Sequence, residues 1–459
     1  MHMDESQKTE VLVLGAGITG LAAGYALQQA KIDYRVLEAA PQAGGVLQSS
    51  YPQGYTLDHG ANSLALNPAL EQLIADLGLE DRMAPATAAS QQRLIYRDGR
   101  LHPVVPSPVG LLKTSLLSWR GKLRLFSEPW RKSEADGEDS VAAFFTRRLG
   151  REAYQFLVEP ILTGIYAGNG KQMSADAIFP RLKGWEREHG SLFRGLMASR
   201  KEKKDGGGLG RRGVASLQGG MHTLTSGLAK ALGERLCLET VVQQVEAVAG
   251  GFVVTVDQKG KSQKISAAQV IWTLPATAAQ ALQPLDAALA QSLSHISYSP
   301  MLMLSLGYKE EEVARPLDSF GFLVPGAEEL PLLGAIWNST IFPDKAPKGE
   351  ALFTLFIGGA RQKGADEATL LELSEEAREK FEYVMGILGE PVLRKPYYWP
   401  RAIPQYEVGE LEMRAQATAL EERFPGLHMA GNWLRGVSVG DCVQAGQAAS
   451  EQCASHRLR

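Results

Sequence analysis

Near its start the chain carries an apolar run, Val11-Leu-Val-Leu14, that passes through Gly15-Ala16-Gly17-Ile18-Thr19-Gly20 into a second apolar stretch over 21–30. The first run reads as a buried strand and the second as a helix, with a glycine turn between them. A short strand, Tyr34-Arg-Val-Leu37, then delivers Glu38. Strand, turn, helix, strand and acid in this order predict a dinucleotide site. Gly15 permits the tight turn, Gly17 lets the backbone approach a pyrophosphate, and Gly20 lets helix and strand pack closely. The helix N-terminus offers free N–H groups, and Glu38, ~20 residues on, is placed to accept from ribose hydroxyls. The same glycine spacing recurs at Gly208-Leu-Gly210-Arg-Arg-Gly213, but a charged stretch beginning at Arg200 precedes it rather than an apolar strand. That copy reads as a loop, which leaves one nucleotide site and no separate NAD(P) domain.

The pattern then changes character. Residues 68–79 read as a helix with Gly78 near its stop, and 93–105 as a β-hairpin turning at 97–100. From 111 to 132, Leu, Trp119, Phe126 and Trp130 interleave with Lys113, Arg120, Lys122, Arg124, Arg131 and Lys132 against one acid, Glu128, a basic amphipathic pattern suited to an interface. A polar connector over 132–139 leads to a helical region, 140–162, with Ser140 as N-cap. A helix from Gly219-Gly220 to 232 and strands at 241–245, 251–256 and 270–274 look like a return to the nucleotide fold. Several strands follow in 300–357, and a helix over 368–388. The chain closes with a strand from Leu427, the turn Ala430-Gly431-Asn432, Gly436-Val437-Ser438-Val439-Gly-Asp441 and a last helix over 441–456, so both chain ends are expected to meet on one dinucleotide.

Composition adds limits. With 459 residues, 44% hydrophobic and 22% charged, the chain can bury two or three subdomain cores. A net charge of −3 argues against nucleic acid as the main partner. Cys237, Cys442 and Cys453 show no metal or disulfide spacing, which suits a reducing, cytoplasmic setting and predicts no metal site. The first ten residues cannot form the apolar core of a signal peptide, and no run reaches the ~18 to 20 apolar residues of a membrane span.

Several separate segments resemble the protoporphyrinogen oxidase family of the FAD-dependent, amine oxidase-like superfamily. At superfamily level these are Gly15 to Gly20, Glu38, Gly44-Gly45, Asp58-His-Gly-Ala-Asn62, Gly219-Gly220 and the C-terminal glycine turns. More specific are Arg93 within Gln91-Gln-Arg-Leu-Ile-Tyr96, Tyr166-Ala-Gly-Asn169, Phe179-Pro-Arg-Leu182, Ser319-Phe-Gly-Phe-Leu-Val-Pro325, Phe356-Ile-Gly-Gly359 and Ile403-Pro-Gln-Tyr406. Where the superfamily often has Arg after the glycine pair, this chain has Val46. The resemblance implies an α/β fold: a Rossmann-like FAD-binding domain (1–90, 214–290 and 420–459), an inserted α+β substrate domain (91–110 and 291–419) and a helical, membrane-binding domain (111–213). Monoamine oxidases that hold flavin covalently use a cysteine upstream of the terminal glycine motif. Here Cys442 lies beyond it, so non-covalent FAD is implied.

By this resemblance Gly15, Ala16, Gly17, Ile18, Thr19 and Gly20 serve the pyrophosphate, and Glu38, Ala39, Gly45 and Val46 the adenosine-to-flavin path. Gly60, Ala61, Asn62 and Ser63 approach the flavin, and Val242 pairs its backbone with adenine. Trp399, Asn432, Val437, Ser438 and Val439 lie near the isoalloxazine and ribityl groups. Arg93 anchors a propionate, Phe320, Leu323 and Phe356 are walls, and the Ala167-Gly168 backbone lies opposite. Read without it, Arg93 is a solvated hairpin residue, the aromatics are core and Val242 and Val439 pack inside. His59 suits packing as well as catalysis, and no side-chain relay is evident, so the flavin itself is expected to take the hydride. The implied reaction is protoporphyrinogen IX to protoporphyrin IX in heme biosynthesis, with O2 as acceptor and hydrogen peroxide as product. It is implied at the inner face of the cell membrane, and a homodimer is admitted. Three rivals remain: coproporphyrinogen III oxidation, another amine oxidase-like or desaturase chemistry, and a non-catalytic flavin-fold binder.

Overall fold

The computed structural model describes residues 8–105, 107–131, 137–205 and 213–457. Lys132, most of the 132–139 connector and most of the second glycine motif at 208–213 lie outside them. Among the described residues two seven-stranded sheets carry the fold. In the first, Lys8–Leu14 lies between Tyr34–Leu37 and Lys261–Trp272, parallel to both. Leu236–Cys237 extends the sheet beyond Tyr34–Leu37. On the other side Thr240–Val248, Gly251–Gln258 and Lys261–Trp272 form an antiparallel meander, and Leu427–Met429 pairs in parallel with the last residues of Lys261–Trp272. The Val11 to Leu14 run is wholly buried because helices cover one face and the 276–293 and 410–423 segments the other.

The first helix spans Ile18–Gln29, three residues earlier than its apolar run suggested. Against it lies the last helix, Val439–Arg457. Their backbones approach so closely that a Cβ on Gly446 would stand 2.2 Å from the Thr19 carbonyl, and Ser450 Oγ donates to the Ala23 carbonyl at 2.9 Å.

The second sheet runs Leu393–Pro404, Tyr298–Lys309, Glu350–Gly358, Gly334–Ile336, Gly321–Leu323, Leu94–Arg97 and Arg100–Pro103. The expected hairpin is present, turning through Asp98 and Gly99, both at positive φ (51° and 77°). It joins this sheet by pairing in parallel with Gly321–Leu323. One face, with Leu302, Leu304, Leu306, Phe322, Phe353, Leu355 and Ile357, is packed under the helix Glu367–Met385. The other face looks toward the nucleotide sheet.

The helical layer departs most from expectation. Ser140 does cap its helix, accepting from the Ala143 N–H at 3.2 Å. The region 140–162 is not one helix, however: Val141–Leu149 stops at Gly150, whose φ is +98°. Arg124 explains the stop, since its side chain lies against Gly150, where a Cβ would meet Arg124 Cγ at 2.5 Å. Its guanidinium donates to the terminal carbonyls of Arg147 and Arg148. The 111–132 segment is likewise not a single amphipathic surface. Pro108–Lys113 and Trp119–Phe126 are separate short helices. Leu116, Leu117 and Leu125 are core, and Arg124 points inward. Of its large apolar residues only Leu112, Trp119, Leu123 and Trp130 face out, as does Val109 just before it.

Glu128, the acid of that segment, is wholly buried with Arg148. It accepts from Arg148 Nε (2.9 Å), Ser191 Oγ (2.6 Å) and the Leu192 and Phe193 N–H groups (2.9 and 3.3 Å), and so sits as an anion on the first turn of the helix Leu192–Asp205. Burial pushes its carboxyl up, but the bonds from Ser191, Leu192 and Arg148 outweigh burial and hold it below the ordinary carboxylate range. A carboxyl held low in the fold stabilises fully above its unfolded value and loses that stabilisation as pH falls through the folded one. Glu128→Ala is therefore expected to cost about 3–5 kcal/mol, because it strands a buried guanidinium. Melting of the wild type should fall on acidification by more than that of Glu128→Gln, with limited proteolysis opening first within 137–205. An unchanged melting temperature in Glu128→Ala would remove this pair from the stability of the layer.

Candidate functional site

The glycine turn after Lys8–Leu14 shows three distinct constraints. Gly15 has φ +99°, and a Cβ on Gly20 would lie 1.9 Å from the Gly15 carbonyl oxygen, so helix and turn touch backbone to backbone. Around Gly17 nothing stands within 4 Å of a Cβ position, leaving an open cradle at the helix N-terminus. Ile18, Thr19 and Gly20 are buried, and the Thr19 hydroxyl bonds toward the Cys442 thiol. These residues can reach a phosphate only through backbone N–H groups. Glu38 accepts from the Ala16 N–H (2.7 Å) and the Ala40 N–H (2.9 Å), which ties the acid to the turn and leaves each oxygen further accepting capacity. Ala39, Gly45 and Val46 are exposed beside it, and the Gly44 N–H donates to the Ala16 carbonyl at 2.8 Å. Val242 lies on the edge strand Thr240–Val248, where the register slips between Val242 and Gln244.

Beyond the glycine pair, Asp58 is buried and collects bonds from the Ser49 hydroxyl (2.6 Å), the Met221 N–H (2.8 Å) and the Lys345 ammonium, itself only 1% exposed. This anchors the loop through Gly60, Ala61, Asn62 and Ser63. The Asn62 amide donates to the Gly60 carbonyl at 3.2 Å and accepts from Asn338 Nδ2 at 2.7 Å. His59 stacks on Tyr397 at 4.0 Å, and its carbonyl accepts from the Trp399 indole. Burial pushes the His59 imidazole down. At the C-terminal turn Gly431 has φ +138°, and the Asn432 carbonyl accepts from the Tyr406 hydroxyl. Ser438 caps the last helix by accepting from the Asp441 N–H at 3.1 Å, with Val437 and Val439 half-buried beside it.

Facing these loops is the second sheet. Register places Tyr397, Met303, Phe356, Gly334, Leu323 and Ile95 directly across from one another on one face. Gly334, between Phe356 and Leu323, lies against its neighbours: a Cβ there would stand 2.6 Å from the Phe322 carbonyl oxygen and 3.1 Å from Leu323 Cδ2. Arg93 continues the alternation of Ile95 at its edge, with its guanidinium 4.9 Å over the Phe320 ring. Ala167 (φ +49°) and Gly168 are buried at the end of the helix Glu159–Tyr166. The Ala167 carbonyl accepts from the Ala360 N–H at 2.7 Å, which sets Ala167 among Met301, Met303, Leu333 and Phe356. The glycine turn, the 58–63 loop and the 431–439 turn thus belong to the nucleotide half, whereas Trp399, among the proposed cofactor residues, stands on the second sheet with Phe356 and Leu323 and meets the 58–63 loop through the His59 carbonyl.

Residues that sequence reasoning passed over are Lys345, Asn338, Tyr397, Met303 and Leu333. None stands in a motif of recognisable chemistry. Tyr406 did carry a signal within its Ile403-Pro-Gln motif, although the bond to Asn432 was not readable. Beneath Tyr406, burial pushes Glu410 up to about 7, opposed by Arg414 and supported by Glu138 and Glu407. Among the described residues no group of histidine, cysteine and carboxylate side chains could hold a metal. Cys442 is buried and its thiol pushed up to about 11.

The open cradle at Gly17, the acid fixed to the turn and the C-terminal turn closing over the same helix fit an extended dinucleotide. The sequence pattern described as flavin containing amine oxidoreductase matches residues 18–454. The chain belongs to that family. It is 31% identical to a mitochondrial protoporphyrinogen oxidase of Nicotiana tabacum, over 98% of this chain and 96% of that protein. It is 28% identical to a coproporphyrinogen III oxidase of Bacillus subtilis (strain 168), over 96% and 97%. Among solved structures, a candidate protoporphyrinogen oxidase from Exiguobacterium sp. 255-15 superposes with TM-score 0.80 at 24% identity, covering 100% of both chains. Cyclohexylamine oxidase from Brevibacterium oxydans superposes with TM-score 0.69 at 18% identity, covering 98% and 100%. The chain is accordingly an oxidoreductase of Rossmann-like α/β fold that uses FAD.

The two glycines separate cofactor binding from folding. Gly17→Ala fits a backbone at φ −67° and is expected to leave the melting temperature of the apoprotein within a degree or two. Its methyl group fills the cradle, and FAD affinity should fall at least tenfold in equilibrium dialysis. Gly20→Ala should instead destabilise apoprotein and holoprotein alike. Undiminished FAD binding in Gly17→Ala would take the pyrophosphate away from this turn.

Proposed function

We propose that the protein oxidises protoporphyrinogen IX to protoporphyrin IX in heme biosynthesis. The observation that carries this reading is the apolar floor of Met303, Phe356 and Leu323, with Arg93 at its edge, held opposite the loops 58–63 and 431–439. A flat, apolar macrocycle with acidic substituents requires such a floor and a cation at its rim. Bound FAD supplies hydride acceptance, so three two-electron cycles remove six electrons, and three O2 are reduced to hydrogen peroxide. The protein's part is to hold the ring against the flavin, to exclude water with Phe356 and Leu323, and to fix the flavin edge through small residues and backbone N–H groups. No charged side chain is required to take the proton, because substrate N–H protons can leave to solvent. The same reading assigns 1–90, 214–290 and 420–459 to FAD, 91–110 and 291–419 to substrate, and 111–213 to the helical layer. Pairing of Leu94–Arg97 with Gly321–Leu323 supports joining 91–110 to 291–419. Met413, Ala417 and Leu420 pack in the nucleotide core, which favours moving the last boundary back to about 409.

Coproporphyrinogen III carries four propionates where protoporphyrinogen IX carries two, so the neighbouring cations discriminate. Arg97 is neutralised by Asp98 (3.3 Å) and Glu152 (3.6 Å), donates to the Leu116 carbonyl and lies 3.9 Å over the Phe156 ring. That favours the dicarboxylate. The relatives named coproporphyrinogen III oxidase supply the second reading. Under air, kcat/KM is expected to be higher for protoporphyrinogen IX than for coproporphyrinogen III. Arg93→Ala should raise KM more than it lowers kcat, with a total loss of ~1.5 to 3 kcal/mol for one charge-assisted bond. A reversed substrate order would favour the second reading, and an unaltered kcat/KM would remove Arg93 from the site. Failure of either porphyrinogen to bleach the flavin anaerobically would point to a binder.

We also propose peripheral contact with the inner face of the cell membrane. No helix among the described residues is long and apolar enough to cross a bilayer. The outward residues Val109, Leu112, Trp119, Leu123 and Trp130 lie among exposed Lys113, Arg120 and Arg131, a pairing suited to an anionic interface. Sedimentation with vesicles should rise with anionic lipid and fall with salt. Replacement of Trp119 and Leu123 by Ser should weaken it severalfold, whereas Leu116 is core and unsuited to this test. Absence of binding at low salt would end the proposal.

A further inference from the structure

Between the hairpin and the helical layer lies a cavity of about 380 Å³ that the oxidation chemistry does not use. Its lining includes Val105, Leu116, Phe145, Leu157, Ile161 and Phe179, with Thr114 as its hydroxyl. It opens to the surface, since Val105 and Ile161 are 49% and 46% exposed. The helix Pro108–Lys113 lies directly on this rim: Gly110 is so close that a Cβ there would meet Val105 Cβ at 2.5 Å. That helix presents Val109 and Leu112 outward and ends on exposed Lys113. The cavity is therefore bordered by an exposed apolar strip, and exposed Lys113 is next in the chain to Thr114 of its lining.

We propose that this cavity binds a single acyl chain of an anionic membrane lipid, with its head group beside Lys113. At roughly 30 Å³ per small group, as for water, the volume takes about a dozen methylenes, whereas a tetrapyrrole is a larger, flat ring system whose two propionates need basic anchors. None of Arg93, Phe356 or Trp399 lines it. The strip outside supplies the chemical continuity: a chain entering past Val105 and Ile161 keeps its acidic end at the basic, outward surface. The source of the chain rests on the membrane reading above, but the cavity is tested without membranes.

The holoprotein is titrated calorimetrically with dodecanoate below its micellar concentration. Binding is expected to saturate at one per chain. Ile161→Trp and Val105→Trp, which block the mouth from half-exposed positions, should each weaken it at least tenfold with FAD content and melting temperature unchanged. The Trp119→Ser, Leu123→Ser double variant should bind vesicles severalfold more weakly yet keep dodecanoate, which separates failure of the membrane reading from failure of this one. No saturable binding, equal binding by both blocked variants, or competition between dodecanoate and porphyrinogen at the same concentration would overturn the proposal, the last by making the cavity part of the substrate path.

Discussion

The strand Lys261–Trp272 is the rail on which both ends of the chain are laid. Its last residues hydrogen-bond to Lys8–Leu14 on one side and to Leu427–Met429 on the other, while its first residues belong to an antiparallel meander. That change of partner along a single strand brings the N-terminal glycine turn and the C-terminal turn to one edge of the sheet. The helices that follow them then pack backbone to backbone through Gly446 and Thr19. Larger residues at that crossing would push the last helix off the first and open the cofactor groove, so the dinucleotide site depends on a steric constraint set by residues that never touch the ligand.

Buried charge couples the layers. Asp58 and Lys345 pair in the interior at 5% and 1% exposure, with the remaining lone pairs of Asp58 satisfied by Ser49 and Met221. Such a pair adds little net stability, because desolvation offsets attraction, but breaking it is costly. Its effect is to fix register between the loop 58–63 and the second half of the chain. Glu128 and Arg148 do the same within the helical layer, where one carboxylate joins three segments. Glu128 is held low and loses its contribution on acidification, whereas Glu410, pushed up by burial, stabilises most when protonated and loses that contribution as pH rises through about 7.

The second sheet divides its labour by face. One side is filled by the helix Glu367–Met385, and its residues are ordinary core. The other carries Met303, Phe356 and Leu323 in register, with Gly334 between the last two letting the neighbouring strand approach closely. Alternation by two places the same strand on both faces, so the core residues and the proposed substrate residues are separated by one residue of register.

The sequence by itself determined the nucleotide half. Strand, glycine turn, helix and acid are local patterns, governed by backbone sterics and burial over a few residues, and the structure realises them within one to three residues. The terminal glycine turns were legible for the same reason, as were the hairpin at 93–105 and the cap at Ser140. Tertiary structure alone decided what depends on distant partners. Gly150 ends a helix because Arg124 crosses it. Glu128 is interior although its neighbours are basic, because Arg148 and the start of the helix Leu192–Asp205 lie there, and Leu116 is interior beside Phe145 and Leu157. Lys345, Asn338 and Tyr397 join the site through bonds spanning hundreds of residues, and no periodicity records such a bond: a pattern along the chain encodes which face a side chain takes, but only the packed layers decide what that face meets.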